Sequence, residues 1–321
     1  MTASQAAHRL GGLIFTFLLA ACASAPQTER LLSAPADLPQ RHELTQVPFH
    51  PQQRYQCGPA ALATVLNETG VDVSPDDLVD EVYLPDQQGS LQVEILSGAR
   101  RHGRTPYLIQ PQLDDLLREV AAGNPVLVLQ NLALSWAPQW HYAVVVGFDL
   151  EQAEIILRSG REPRHRISLV TFERTWARGG YWGIVALAPE RLPAVVDKQR
   201  YLGAVTGLER AQRWREAQTA YHTALDHWPQ ELAAQMGLGN SAYGLGDLAA
   251  AEAAFRAAIQ HHPDAPAAHN NLAQVLMETG KLAEASQQAR LAVELGGPEL
   301  EVSQQTLNEI EERLCPTEPT D

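Results

Sequence analysis

Hydrophobic positions follow two different periods in the first half of the chain. Apolar residues at helical spacing, each run followed by polar or glycine-containing sequence, predict helices at 60–66, 78–82, 91–99 and 113–120. Continuous apolar runs further on predict strands at 126–129, 142–147, 155–157, 167–170 and 181–186. Helices followed by strands are typical of an α+β fold, which we assign to residues 44–192.

The second half of the chain repeats itself. Ala217, Ala251 and Ala285 recur at a spacing of 34 residues in sequence rich in Ala, Leu and Gln. This period resembles that of tetratricopeptide repeats, in which paired helices pack closely at a small residue and an aromatic, here Tyr221 or Phe255, fills the gap beside it. The pattern predicts an all-α solenoid with about three repeats over 198–299, a polar capping helix over 300–314 and a tail over 315–321.

The first residues have the pattern of an export signal. Arg9 precedes an apolar run from Leu10 to Leu19, which at about 1.5 Å per residue is too short to cross a bilayer. The following Ala20-Ala21-Cys22 completes a segment that resembles the lipobox of bacterial lipoproteins, whose cysteine is lipidated. The alternative is an ordinary secretory signal followed by a chance cysteine.

These observations lead to three expectations about location. We expect a signal peptide over 1–21, a lipid on Cys22 and a tether over 22–43. The protein would then face the periplasm, as a lipoprotein of the outer membrane. Its contact with the membrane would be through the lipid anchor alone.

Charge and cysteine content narrow the possible functions. The 321 residues include 24 Lys and Arg against 38 Asp and Glu, a net charge of −14, which argues against binding of nucleic acid. Only 3 cysteines are present, too few for a disulfide framework. Cys315 lies in the tail, where an idle thiol is the simplest interpretation.

Cys57 stands where a loop turns into a helix. Pro59 is compatible with a first helical turn, because the N–H that it lacks would be unpaired there. A thiol at this position faces the positive end of the helix dipole, which favours the nucleophilic thiolate. The alternative is a buried, inert cysteine.

A thiol nucleophile needs a base, and His141 is the candidate. It opens an apolar run from Tyr142 to Phe148 that must be a central strand, so the imidazole would lie at the edge of the sheet. The alternative is a histidine that merely caps a core strand.

Taken together, two segments resemble a known family. Val47–Leu66 and His141–Phe148 are similar to the peptidase domain of the double-glycine, bacteriocin-processing cysteine peptidases, which has a papain-like fold. The resemblance implies Cys57 as nucleophile and His141 as base. It assigns an oxyanion-hole role to Gln52, with the adjacent Gln53 as the alternative, and it implies no cofactor and no metal.

The third member of the site does not match the family. There, an Asp or Asn on the following strand orients the histidine, whereas here that neighbourhood contains Ser159 and no carboxylate. Asp149 would lie roughly 26 Å along the strand from His141, at ~3.3 Å per residue. If the chain turns after Asp149, the strands fold back and bring Ser159 beside His141, with Glu162 behind it. We therefore predict Ser159 as the orienting residue.

The function expected from the sequence is hydrolysis of a peptide or protein substrate, with a protein partner bound by the repeats. Two alternatives stay open: a catalytically weak or inactive scaffold that keeps the peptidase fold, and an amide-forming transferase that uses the same thiol. Trp136 and Trp140 either wall a substrate cleft or pack between domains. His261 and His262 end a repeat helix, where solvated side chains are more common than metal ligands.

Overall fold

The structure is a computed structural model that describes residues 25–34 and 37–315. Among these, the residues up to Ile95 form one compact unit with Leu108–Val185, and Leu96–Tyr107 form a second with the residues from Ala186 onward. No helix within the described residues has both the length and the apolar character needed to cross a bilayer. The signal peptide and Cys22 lie outside the described residues.

An α+β unit precedes an all-α repeat unit in the chain, so the fold class is confirmed, although the strands at Arg41–Glu43 and Thr105–Leu108 were not predicted. The helices are α1 (Pro26–Ser33), α2 (Cys57–Glu68), α3 (Pro75–Val82), α4 (Gln92–Arg101), α5 (Leu113–Ala121), α6 (Leu169–Arg178), α7 (Lys198–Arg210), α8 (Trp214–His227), α9 (Leu232–Gly244), α10 (Leu248–His261), α11 (Pro266–Glu278), α12 (Leu282–Leu295) and α13 (Leu300–Leu314). The strands are β1 (Arg41–Glu43), β2 (Thr105–Leu108), β3 (Val126–Asn131), β4 (Trp140–Asp149), β5 (Glu154–Ser159), β6 (Glu162–Ser168) and β7 (Gly183–Leu187).

The sheet has the strand order β2-β7-β3-β4-β5-β6, and β1 also pairs with β4. Strand β4 pairs in antiparallel fashion with β3 and β5, and every residue from Tyr142 to Asp149 is buried. This burial is the reason for its unbroken apolar sequence. Only the first two residues of β4, Trp140 and His141, lie where the strand emerges from the core.

Helix α2 is the core helix of the first unit. All residues from Gly58 to Leu66 are buried, as expected for a helix that is apolar on every side. Its first turn packs too closely for a side chain at Gly58, because a Cβ atom there would lie 2.2 Å from Oγ of Ser90. The glycine therefore brings the amino end of α2 into direct contact with the segment around Ser90.

The structure differs from the predicted tether over 22–43. Residues 26–33 form a helix, and the backbone N–H groups of Gln27 and Thr28 donate to the buried carboxylate of Glu173 at 3.0 and 2.7 Å. A carboxylate at a helix amino terminus satisfies free N–H groups and opposes the helix dipole. The short helix carries too few apolar residues to show a period, so its docking depends on this distant partner.

The predicted strand over 167–170 is also only partly correct. Strand β6 ends at Ser168, and its side chain accepts a hydrogen bond from the N–H of Thr171 and so begins helix α6. Leu169, Phe172 and Trp176 form the buried face of this helix. Apolar residues lie on both sides of Ser168, at the end of β6 and the start of α6, so the sequence pattern did not show where the strand ends and the helix begins.

The repeat unit contains three helix pairs followed by the last helix, α13. Ala217, Ala251 and Ala285 are completely buried, as the 34-residue pattern predicted. The Tyr221 ring fills the space above Gly237, and Phe255 does the same above Gly239. Close helix contacts at glycine and alanine therefore hold this unit together.

Replacing Gly237 by alanine is expected to destabilise the repeat unit, because its Cβ would lie 2.1 Å from Cζ of Tyr221. Overpacking of this kind typically lowers the free energy of unfolding by about 1–3 kcal/mol. Gly203 on α7 is the matched control, since no atom lies within 4 Å of its Cβ position. Alanine there should stabilise by up to about 1 kcal/mol through helix propensity. Urea denaturation of both variants checks this, and equal effects would contradict it.

Candidate active site

Cys57 is the first residue of α2. The backbone N–H groups of Tyr142, Gly58 and Cys57 itself are close enough to its sulfur to oppose the rise in the pKa of the thiol. Two of these belong to the unpaired amino end of the helix, and the third comes from strand β4. Because Tyr142 directly follows His141, the thiol lies against the peptide unit that joins these two residues.

His141 is the second residue of β4, and its ring is held from the neighbouring strand. Nε2 of His141 lies 2.8 Å from Oγ of Ser159, the last residue of β5. This hydrogen bond occupies one ring nitrogen and leaves Nδ1 for another partner. The structure thus brings Cys57, His141 and Ser159 to one end of the sheet.

Glu162 and His165 form a separate pair on β6. Nδ1 of His165 lies 2.8 Å from Oε2 of Glu162, and Glu162 pairs with Ser159 across β5 and β6. His165 is close enough to His141 to lower the pKa of that histidine. The pair therefore contributes a titratable group near the site, although not as a direct partner of the thiol.

Gln52 joins two strands at the point where they leave the core. Its Nε2 donates to the carbonyl of Tyr142 at 3.0 Å, and its Oε1 accepts from the N–H of Gly160 at 2.9 Å. Its own backbone N–H donates to the carbonyl of Gly160 at 2.8 Å. The side chain thereby fixes the residues directly after His141 and Ser159, and one Nε2 hydrogen is left over.

Gln53 was the alternative to Gln52 for the oxyanion-hole role, and its surroundings differ from those of Gln52. It lines a cavity of about 210 Å³ beside the first turn of α2, together with His50, Pro51, Gln56, Ala60, Pro75 and Asp76. Neither Cys57 nor His141 lines this cavity. Within the described residues, no group of three or more His, Cys, Asp or Glu side chains is arranged to hold an ion.

Burial controls the protonation of both reactive groups. It raises the pKa of the Cys57 thiol, although the three N–H groups oppose this. Burial, assisted by His165, lowers the pKa of His141 to about 4. At neutral pH the resting site therefore holds a neutral thiol and a neutral imidazole, whereas the helix dipole alone had predicted a thiolate.

Two parts of the chain match known families. Residues 44–183 match the Peptidase C39 like family, and residues 202–260 and 237–299 match a tetratricopeptide repeat family. The chain carries a C39-like peptidase domain followed by tetratricopeptide repeats. No curated protein matches the chain.

Solved structures with similar folds cover one part of the chain or the other. A C39-like peptidase from Bacillus anthracis is 17% identical with a TM-score of 0.39, over 46% of this chain and 97% of that chain. The type III secretion translocator chaperone SycD from Yersinia enterocolitica is 20% identical with a TM-score of 0.34, over 36% of this chain and 84% of that chain. The first TPR of Spaghetti (RPAP3), bound to an HSP90 peptide, is 20% identical with a TM-score of 0.34, over 37% of this chain and 96% of that chain.

Two contributors to the site were not predicted from the sequence. The backbone N–H of Tyr142 reaches the sulfur, and Ser90 packs on Gly58 while its carbonyl accepts a hydrogen bond from the Tyr142 hydroxyl at 3.2 Å. Ser90 is remote from both segments in the sequence and has no motif of its own. The only available signal was the glycine after Cys57, which indicates a close approach of some other segment.

The protonation state generates a prediction about thiol reactivity. Because only the thiolate reacts and burial raises the pKa of Cys57, alkylation by iodoacetamide should accelerate roughly tenfold per pH unit from about pH 6 to pH 9. Mass spectrometry of the Cys57 peptide, in the Cys315→Ala chain, measures this rate. A rate that is already constant between about pH 6 and pH 8 would instead indicate a resting thiolate–imidazolium pair.

Proposed function

We propose that this protein is a cysteine peptidase that hydrolyses peptide bonds through the Cys57 thiol. One observation carries the proposal: the sulfur lies at the amino end of a buried helix and against the peptide unit that follows His141. The match of residues 44–183 to the Peptidase C39 like family supports it. The tetratricopeptide repeats support interaction with a protein partner.

The reaction follows from the neutral resting pair. As a substrate carbonyl carbon approaches, the proton of Cys57 passes to Nδ1 of His141, the sulfur–carbon bond forms, and the carbonyl electron pair moves onto oxygen. The backbone N–H of Cys57 and the remaining Nε2 hydrogen of Gln52 are the candidate donors to this oxyanion. Such a donor contributes about 2.7–4 kcal/mol where one has been removed from other enzymes.

The tetrahedral adduct then collapses. The carbon–nitrogen bond breaks as the imidazolium of His141 returns the proton to the leaving amine, and a thioester on Cys57 remains. Water attacks this thioester with His141 again as base, which releases the carboxylic acid and restores the thiol. No other reactant is required.

Ser159 acts on the histidine in this scheme. A base at Nδ1 requires the tautomer with hydrogen on Nε2, and this N–H donates to Oγ of Ser159 across the observed 2.8 Å. The bond fixes the ring plane, so we assign Ser159 a positioning role. A hydroxyl supplies no charge, and the imidazolium is therefore less stabilised than it would be beside a carboxylate.

The burial of Cys57 and His141 favours a second candidate, a scaffold that keeps the peptidase fold without turnover. Burial raises the pKa of Cys57 and lowers that of His141, and neither shift promotes thiolate formation. In this candidate the repeats perform the function by holding a partner. Peptide turnover separates the two candidates.

We also propose that Cys22 carries a lipid and that the protein faces the periplasm from the outer membrane. The support is in the sequence alone: an apolar run behind Arg9 ends in Leu19-Ala20-Ala21-Cys22. These residues lie outside those that the structure describes.

Replacing Cys57 by alanine is expected to lower kcat/KM for peptide hydrolysis by about 10³-fold or more, because no other group supplies the nucleophile. Cys315, exposed at the end of α13, is the matched control, and Cys315→Ala should keep native activity. Intact-mass spectrometry after rapid mixing should detect an acyl group on the native chain and none on Cys57→Ala. Absence of turnover in the native chain would favour the scaffold.

Changes at Ser159 test its positioning role. Ser159→Ala should lower kcat/KM about tenfold, the equivalent of one neutral hydrogen bond. Ser159→Asp should move the acid limb of the pH–rate profile upward, because an adjacent negative charge raises the pKa of His141 from about 4. Rates measured across the pH range check both results. If both variants keep the native pH profile, Ser159 does not act through His141.

A further inference from the structure

The segment before His141 displays apolar side chains to solvent. Within the described residues, the three most exposed large apolar side chains are Trp136, Leu134 and Trp140, at 83%, 57% and 55% exposed. Residues 132–140, which connect β3 to the start of β4, are called here the finger. Soluble surfaces rarely cluster such exposed apolar residues without a binding role.

Hydrogen bonds hold the two ends of the finger together where it joins β3 and β4. Oδ1 of the buried Asn131 accepts from the N–H groups of Ala133 and Gln139, both at 3.0 Å. The N–H of Leu132 donates to the carbonyl of Gln139 at 2.9 Å, which closes the hairpin. The apolar tip is therefore presented on a rigid support, so little conformational entropy is lost when it binds.

Large apolar residues are also exposed in the segments that precede Cys57 and follow Ser90. Tyr55, two residues before Cys57, is 40% exposed and has a φ of 67°, which is strained for an aromatic residue. Leu91 is 47% exposed and follows Ser90, which packs on Gly58. Exposed apolar residues therefore lie next to both Cys57 and His141 in the chain, and this favours a peptide over a lipid surface as the occupant.

The role of His141 as the acid that protonates the leaving nitrogen indicates which part of a bound peptide lies beside the finger. His141 must reach the leaving nitrogen to protonate it, so the half of the substrate that departs as the amine passes the start of β4. The finger joins β4 at that point and contains no charged residue. Resting on the hydrolase proposed above, we propose that the finger binds a large apolar side chain directly after the cleaved bond. The substrate class is then peptides with Leu, Ile, Phe or a similar residue at that position.

Digestion of a random peptide pool by the full-length chain tests this, because the new amino termini report the residue after each cut. Large apolar residues should exceed acidic ones there by about tenfold or more, as is usual for an apolar binding surface. The double variant Leu134→Ser, Trp136→Ser should reduce this ratio to below about threefold. Leu32→Ser removes an apolar side chain that is 41% exposed on α1, and it should leave the ratio unchanged.

Every other result overturns the inference. Cleavage without apolar enrichment in the native chain refutes the preference and leaves the hydrolase intact, whereas no cleavage refutes both. Enrichment that persists in the double variant removes the finger from recognition. Binding of the native chain to phosphatidylethanolamine and phosphatidylglycerol vesicles, lost in the double variant with unchanged enrichment, would show that the finger contacts lipid instead.

Discussion

The close approach of the first turn of α2 to the start of β4 determines where the Cys57 thiol lies relative to the residues at the start of β4. Ser90 packs on Gly58 and accepts a hydrogen bond from the hydroxyl of Tyr142, whose backbone N–H helps to lower the pKa of Cys57. A side chain at position 58 would push these segments apart. The absence of a single Cβ atom therefore allows a helix and a strand that are distant in sequence to lie close together.

Burial has opposite effects on the same site. It removes water, which strengthens any hydrogen bond to a developing oxyanion. It also keeps Cys57 and His141 uncharged at rest, because neither ion is well solvated there. A site of this kind holds little reactive thiolate at rest, which protects the thiol against indiscriminate alkylation and oxidation.

How well the sequence predicted each part depended on how local the determining contacts are. The start of α2 follows from Pro59 and the small residues after it, and the burial of β4 follows from its apolar run. The β4–β5 turn brings Ser159 to His141, the proximity expected from hairpin geometry. These features depend on residues close to one another in the chain.

Contacts between distant segments could not be predicted in this way. The docking of α1 depends on Glu173, and the bridging hydrogen bonds of Gln52 depend on the ends of two strands. The pKa of the Cys57 thiol depends on total burial, which outweighs the helix dipole considered alone. The charge state of the site is thus a property of the folded unit and not of the motif.

Because the folded structure begins at α1, the segment between Cys22 and the first folded unit is shorter than the tether predicted from the sequence. Ala25 is already buried, so a lipid on Cys22 would be separated from the folded unit by three residues, which reach about 10 Å when extended. A free segment over 22–43 would have reached roughly 70 Å. If Cys22 carries the proposed lipid, the first folded unit would stay close to the membrane surface, and any substrate would have to come within that short distance of the bilayer.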